Sequence, residues 1–169
     1  MRLNIKGQIL NTIIIFAIII ISIILICLCS PRNSSNQTQN SAQTSKPYLT
    51  QIVTIKNKDF SVQIADTNVK KTLGLSNKNK LKNNKGMLFT YDQPGLYSFW
   101  MKDMNFSIDI IWISKDKKII NISKDISPAT YPKTFKPPRP AQYILEINAG
   151  LSDKYGFKIG NKVNFQDIN

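Results

Sequence analysis

The chain from Tyr48 onward predicts a mostly β domain: a small antiparallel, barrel-like sheet with one or two short helices. Two observations carry that reading. The apolar residues fall in about eight short runs rich in Val, Ile, Phe and Tyr, each bounded by Gly, Pro, Asn or Asp. Helical signals are confined to two brief segments, too short to cover a parallel sheet on both faces, so the strands must curl to enclose a core.

The elements follow in order. "YLTQIVTI" and "FSVQIAD" are β-rich runs joined by the polar break Lys56 to Asp59, which reads as a hairpin. Asp66 or Thr67 can cap a short helix running to about Leu73, with Gly74 just past its end and Val69 and Leu73 one turn apart on the side expected to be buried. Residues 77–85 form a polar loop. "GMLFTY", the turn "DQPG" and "LYSFWM" predict a second hairpin with Pro94 and Gly95 as turn residues. "IDIIWIS" and "KIINISK" predict a third pair around "KDKK". Prolines 128, 132, 137, 138 and 140 exclude an interior strand between Asp125 and Pro140. "QYILEI" resumes strand character, Gly150 opens a helical turn through Tyr155, and "GFKIGNKVNF" ends the chain in two glycine-punctuated segments.

Ahead of this domain lie three further segments. Residues 1–12 are a basic N-terminal stretch carrying Arg2 and Lys6, and residues 13–29 are apolar except for Ser22. About 17 to 20 apolar residues span a bilayer core, so 13–29 reads as a transmembrane helix or signal anchor. A cleaved signal peptide is the rival, but the apolar run is longer than usual and no small-x-small cleavage site follows it. Cys27 and Cys29 offer lipoprotein acceptors, though bulky Ile26 and Leu28 precede them. Arg2 and Lys6 place the N-terminus inside and the domain outside. Residues 30–47 are polar and too poor in apolar residues to order themselves; such a linker reaches roughly 20 to 25 Å as a coil.

Both cysteines lie in the apolar segment and the chain contains no histidine. The domain therefore has no disulfide, no Cys or His nucleophile or base, and no His-ligated metal; no metal and no cofactor are expected. The net charge is +13, and four of the 23 basic residues (Arg2, Lys6, Arg32 and Lys46) precede Tyr48 whereas all 10 acids follow it. A basic domain favours anionic partners, lipid head groups or an acidic envelope polymer ahead of nucleic acid. The plainer reading carries more weight: the lysines are scattered, and their excess with Asn and Ile expresses overall composition.

The motif order is specific. "IADT" and "LGLS", then "GMLFTYDQPGLYSFWMKDMNFSIDIIWIS", then "PAQYILEINAG" and "GFKIGNKV", resemble the uncharacterised family numbered 192 among the domains of unknown function. Gly86, Met87, Phe89, Trp100, Met101, Lys102, Asp109, Glu146, Gly150 and Gly160 occupy that family's places. The resemblance implies a small β-rich fold in a bacterial or archaeal protein, often behind a signal sequence or anchor, and implies no biochemical activity. Asp103 and Met104 stand where relatives usually read Asn-Thr, and Ser107 and Ile108 where they read Pro-Leu.

Seven residues are worth testing as a site, three of them acids. Asp109, between isoleucines in a strand, is either a general base or an acceptor that fixes a loop. Glu146, the only glutamate, would form a carboxylate pair with Asp109 if their strands are neighbours, as glycoside hydrolases require; a surface ion pair with Lys102 or Arg139 is the plainer alternative. Asp103 is a third candidate acid. Trp100 offers an indole face of the kind sugars stack on, with Lys102 beside it. Tyr131 and Arg139 sit in a Pro-rich loop long enough to cover an opening. The expected function is a membrane-anchored extracytoplasmic domain that binds a ligand, an anionic envelope polymer or an envelope protein without catalysis. A carboxylate-dependent enzyme acting on envelope glycans and a structural accessory of an envelope complex are the alternatives.

Overall fold

The computed structural model describes residues 47–167; the segments 1–12 and 13–29, and the linker as far as Lys46, lie outside the described residues. Among the described residues no helix is long and apolar enough to cross a membrane.

Nine strands form the domain. β1 (Thr50–Ile55), β2 (Lys58–Ala65), β3 (Lys85–Gly95), β5 (Ile108–Ile113), β6 (Ile119–Ile126), β8 (Ala141–Asn148) and β9 (Val163–Asn164) make one sheet in the order β6-β5-β8-β3-β2-β1-β9. β4 (Phe99–Trp100) and β7 (Thr134–Phe135) pair separately. The sheet curls, and at one end it closes. Lys118 bridges Lys162, and Gly160 and Val163 N–H donate to the Ile119 and Lys117 carbonyls, joining the start of β6 to the approach to β9. The expected barrel-like, mostly β class is therefore what the chain adopts. All pairs in the large sheet are antiparallel except β2 with β3, which run parallel because helix α1 (Asn68–Leu73) carries the chain across between them.

Curling gives the sheet two buried faces, so the central strands do not alternate. All six residues of β5 are buried. Inside the curl pack Val53, Ile55, Val62, Leu88, Ile111, Leu145 and Ile147. On the outer face lie Met87, Phe89, Ile110, Trp112 and Ile144, packed with Leu75 from the segment after the helix, Phe99 of β4 and Phe135 of β7. Trp112 is fully buried, with its indole N–H donating to Ser123 Oγ at 3.2 Å and its ring edge-on to Phe99 at 5.4 Å. Where β3 crosses β8 the fit is tight: a Cβ built on Gly86 would sit 2.7 Å from the Glu146 carbonyl oxygen. Gly86→Ala must push two hydrogen-bonded strands apart, and is expected to cost about 2–3 kcal/mol in chemical denaturation.

Two local expectations need correction. "DQPG" is not a hairpin turn: β3 runs through it to Gly95, which pairs with Ala141 of β8 after an irregularity, and β4 finds β7 instead. The helix forms as its signals require, Thr67 Oγ1 accepting from the Lys70 N–H and Gly74 N–H closing on the Lys70 carbonyl, but its buried residue is Lys70. Val69 and Leu73 are exposed. Lys70 turns inward because its ammonium pairs with Asp66 at 2.8 Å and lies over the Tyr48 ring at 5.3 Å, with its stem covered.

Candidate functional site

Register decides the fate of the two central acids. β5 and β8 are neighbours, with Asp109 opposite Ile147 and Ile110 opposite Glu146. Side chains alternate along a strand, so Asp109 shares the inner face with Ile147 and Glu146 the outer face with Ile110. The carboxylates are back to back across one sheet, and no pair exists.

Asp109 is fully buried and its carboxylate accepts three backbone N–H bonds. Oδ1 takes Asp125 at 2.9 Å and Gly150 at 3.2 Å, and Oδ2 takes Ser152 at 2.9 Å. Gly150 and Ser152 belong to the start of helix α2 (Leu151–Lys154), whose own cap, Gly150, offers no side chain. A strand residue thus supplies the missing cap and ties α2 to the end of β6.

Glu146 has no such partners. It is 5 % exposed, and among the described residues its side chain makes no hydrogen bond or ion pair; neither Lys102 nor Arg139 reaches it. Burial pushes its carboxyl up to about 8, so at neutral pH it holds a proton and can donate a hydrogen bond. It faces a pocket of about 290 Å³ between α1, β3, β8 and β4, with Phe89, Phe99 and Leu75 as apolar walls.

Trp100 stands at the mouth. Phe99 and Met101 on either side turn into the core, which leaves the indole 51 % exposed. The same tryptophan borders a second pocket of about 540 Å³ that adjoins the first across α1 and adds Val69, Asn77, Lys102 and Asp103. The loop carrying Lys102 and Asp103 is pinned to the segment after α1: Ser76 Oγ donates to the Lys102 carbonyl at 2.9 Å and Asn77 N–H to the Asp103 carbonyl at 2.7 Å. Trp100, Lys102, Asp103 and Glu146 thereby share one cleft, divided by the indole. Asp109, Tyr131 and Arg139 line neither pocket, although β7 brings the Pro-rich loop alongside Trp100 through Thr134.

Two contributors escape sequence reasoning. Lys71, on α1, lies 4.2 Å over the Tyr91 ring, and its loss of solvent lowers its pKa. Tyr91 stacks on Tyr97 at 3.5 Å, and burial, then Tyr97 and Glu146, push its hydroxyl up to about 12. The spacing of these tyrosines around Pro94 resembles ordinary strand punctuation, so no sequence signal marks them. Among the described residues no group of His, Cys, Asp or Glu is arranged to hold a metal ion.

The fold recurs in solved structures. A protein of unknown function from Novosphingobium aromaticivorans is 28% identical over 69% of this chain and 85% of its own, with a TM-score of 0.66. A protein from Sinorhizobium meliloti, provisionally described as a transcription regulator, is 23% identical over 70% of this chain and 95% of its own, with a TM-score of 0.67, a likeness of fold alone. No curated protein is similar enough to match. A family model matches residues 51–165, which hold every strand but the first residue of β1 and every residue of the cleft: the chain belongs to the DUF192 family, an uncharacterized ACR.

Proposed function

We propose that this is a ligand-binding module of the cell envelope, anchored by residues 13–29 and tethered by 30–47, whose site is the cleft divided by Trp100 and floored by Glu146. The observation that supports it is the lone Glu146 carboxyl. With no protein group among the described residues bonded to it and its carboxyl lining a pocket, Glu146 is free to bond a ligand that enters. Here it faces an open pocket beside a half-exposed indole, the combination of apolar wall and few placed polar groups that small-ligand sites have.

Catalysis is not needed for this reading. Asp109 does not serve as a second carboxylate beside Glu146, because it is on the other face and committed to three backbone donors. A single-acid enzyme is the second reading, favoured by one observation: a carboxyl that holds its proton to about 8 and opens on a cavity has the properties of a general acid.

Trp100→Ala tests the binding reading. An exposed indole contributes little to folding, so the variant should melt within about 2 °C of the parent. Its affinity for a ligand found by screening envelope polymers should fall at least tenfold, as for an aromatic anchor of a binding site. Unchanged affinity in isothermal titration would remove the cleft from consideration.

A further inference from the structure

We propose that the cleft takes a sugar ring bearing a carboxylate, the unit of an acidic glycan, with its apolar face on Trp100 and its carboxylate between Lys71 and Glu146. This rests on the cleft being the binding site and narrows what it accepts.

The charge of the inner pocket argues for an anion. Its titratable lining groups are Lys71 from α1, Tyr91 from β3 and Glu146 from β8; β4 contributes Trp100, which carries no charge. Burial keeps Glu146 protonated at neutral pH and Tyr91 neutral, so among the described residues that line the pocket the Lys71 ammonium carries the only full charge. Lys71 makes no ion pair among the described residues, while Asp92 and Asp66 act on it through space. A cationic ligand would be repelled, and a neutral one would leave the partly desolvated ammonium with the Tyr91 ring and the through-space pull of Asp92 and Asp66 but no direct anionic partner among the described residues. A carboxylate satisfies both groups, accepting from the ammonium and from the Glu146 hydroxyl in charge-assisted bonds. An ionised Glu146 would repel it.

The shape argues for a sugar. Trp100 presents a flat apolar face at the mouth, and Asn68, Ser76 and Ser98 place amide and hydroxyl groups around it for ring hydroxyls. The inner pocket of about 290 Å³ has room for one ring, and the adjoining 540 Å³ beyond the indole has room for its neighbours, so the site is open at the side a polymer needs.

Titration calorimetry of the full-length protein in detergent tests this with three probes: galacturonate, an oligogalacturonate, and the neutral galactose oligomer of equal length. The acidic oligomer should bind at least tenfold more tightly than the neutral one at pH 6.5, and Lys71→Ala should abolish most of that ratio. Its affinity should fall as the pH is raised to 9. Glu146→Gln, which keeps a donor but cannot ionise, should remove most of that fall, and the remainder measures Lys71. A monomer that matches the oligomer supports the chemistry with a free sugar acid as its source; a much weaker monomer supports it with a polymer as its source. Equal binding of acidic and neutral oligomers, or an unaltered pH dependence in Glu146→Gln, overturns the ligand class and leaves the cleft reading standing. Saccharide binding that Trp100→Ala does not weaken overturns the cleft reading itself.

Discussion

Asp109→Ala is expected to lower the melting temperature by roughly 10–20 °C, corresponding to about 3–5 kcal/mol. The loss has a definite source. Three backbone N–H groups, of Asp125, Gly150 and Ser152, converge on one fully buried carboxylate, and truncation leaves all three without an acceptor in a dry interior. Asp109→Asn keeps the oxygen that serves two donors but turns an amide N–H₂ toward the third, so it should recover part of the loss and no more. Hydrogen exchange should localise the damage: the Gly150 and Ser152 amides and the end of β6 lose protection before the inner strands do. A melting temperature within a few degrees of the parent for Asp109→Ala would mean that the carboxylate is not the anchor described.

Glu146→Gln should change how stability depends on pH. The folded-state pKa of Glu146 is raised from the usual 4.5 to about 8 by burial, so between those values the folded protein holds a proton that the unfolded chain releases. Stability contributed by this group is fully present below about 4.5 and is lost as the pH rises through about 8, beyond which the curve is flat. The loss is on the order of a few kcal/mol. Glutamine cannot ionise, so the variant should show a flatter profile across that window and exceed the parent in stability at pH 8.5. Urea denaturation at intervals from pH 4 to 9 checks the sign. A parent whose stability rises over this interval, with the variant running parallel, would show that the carboxyl is ionised or paired in the folded state.

How much of this the sequence carried depended on whether the information was local. The β1–β2 hairpin, the Thr67 cap and the β5–β6 pair are each specified by residues close together in the chain, and each forms where turn and capping chemistry places it. Pairings between distant strands were not legible. Pro94 and Gly95 are ordinary turn residues, yet β8 supplies an edge on which β3 continues past them, and only the register of β8 against β3 and β5 decides which way its acids point. The helix face was misread for a similar reason: Val69 and Leu73 have the apolar spacing, but Asp66 and Tyr48 give Lys70 a reason to turn inward that is set by tertiary placement. At the candidate site, Trp100 and Glu146 stood out as a large aromatic and an acid among apolar neighbours. Lys71 and Tyr91 did not, because nothing in a strand or helix pattern announces that a lysine lies over a ring.

The central claim is that Trp100 and Glu146 frame one binding cleft, and the two tryptophans make it directly testable. Their indole N–H groups give separate nuclear magnetic resonance signals: Trp100 is half-exposed at the cleft, while Trp112 is fully buried and bonded to Ser123. Titrating the ¹⁵N-labelled protein with the oligogalacturonate should move the Trp100 indole signal, together with the amides of Lys71, Ser76 and Ser98, and leave Trp112 in place. Saturable binding that leaves the Trp100 indole unmoved while shifting amides around Tyr131 and Arg139 would contradict it.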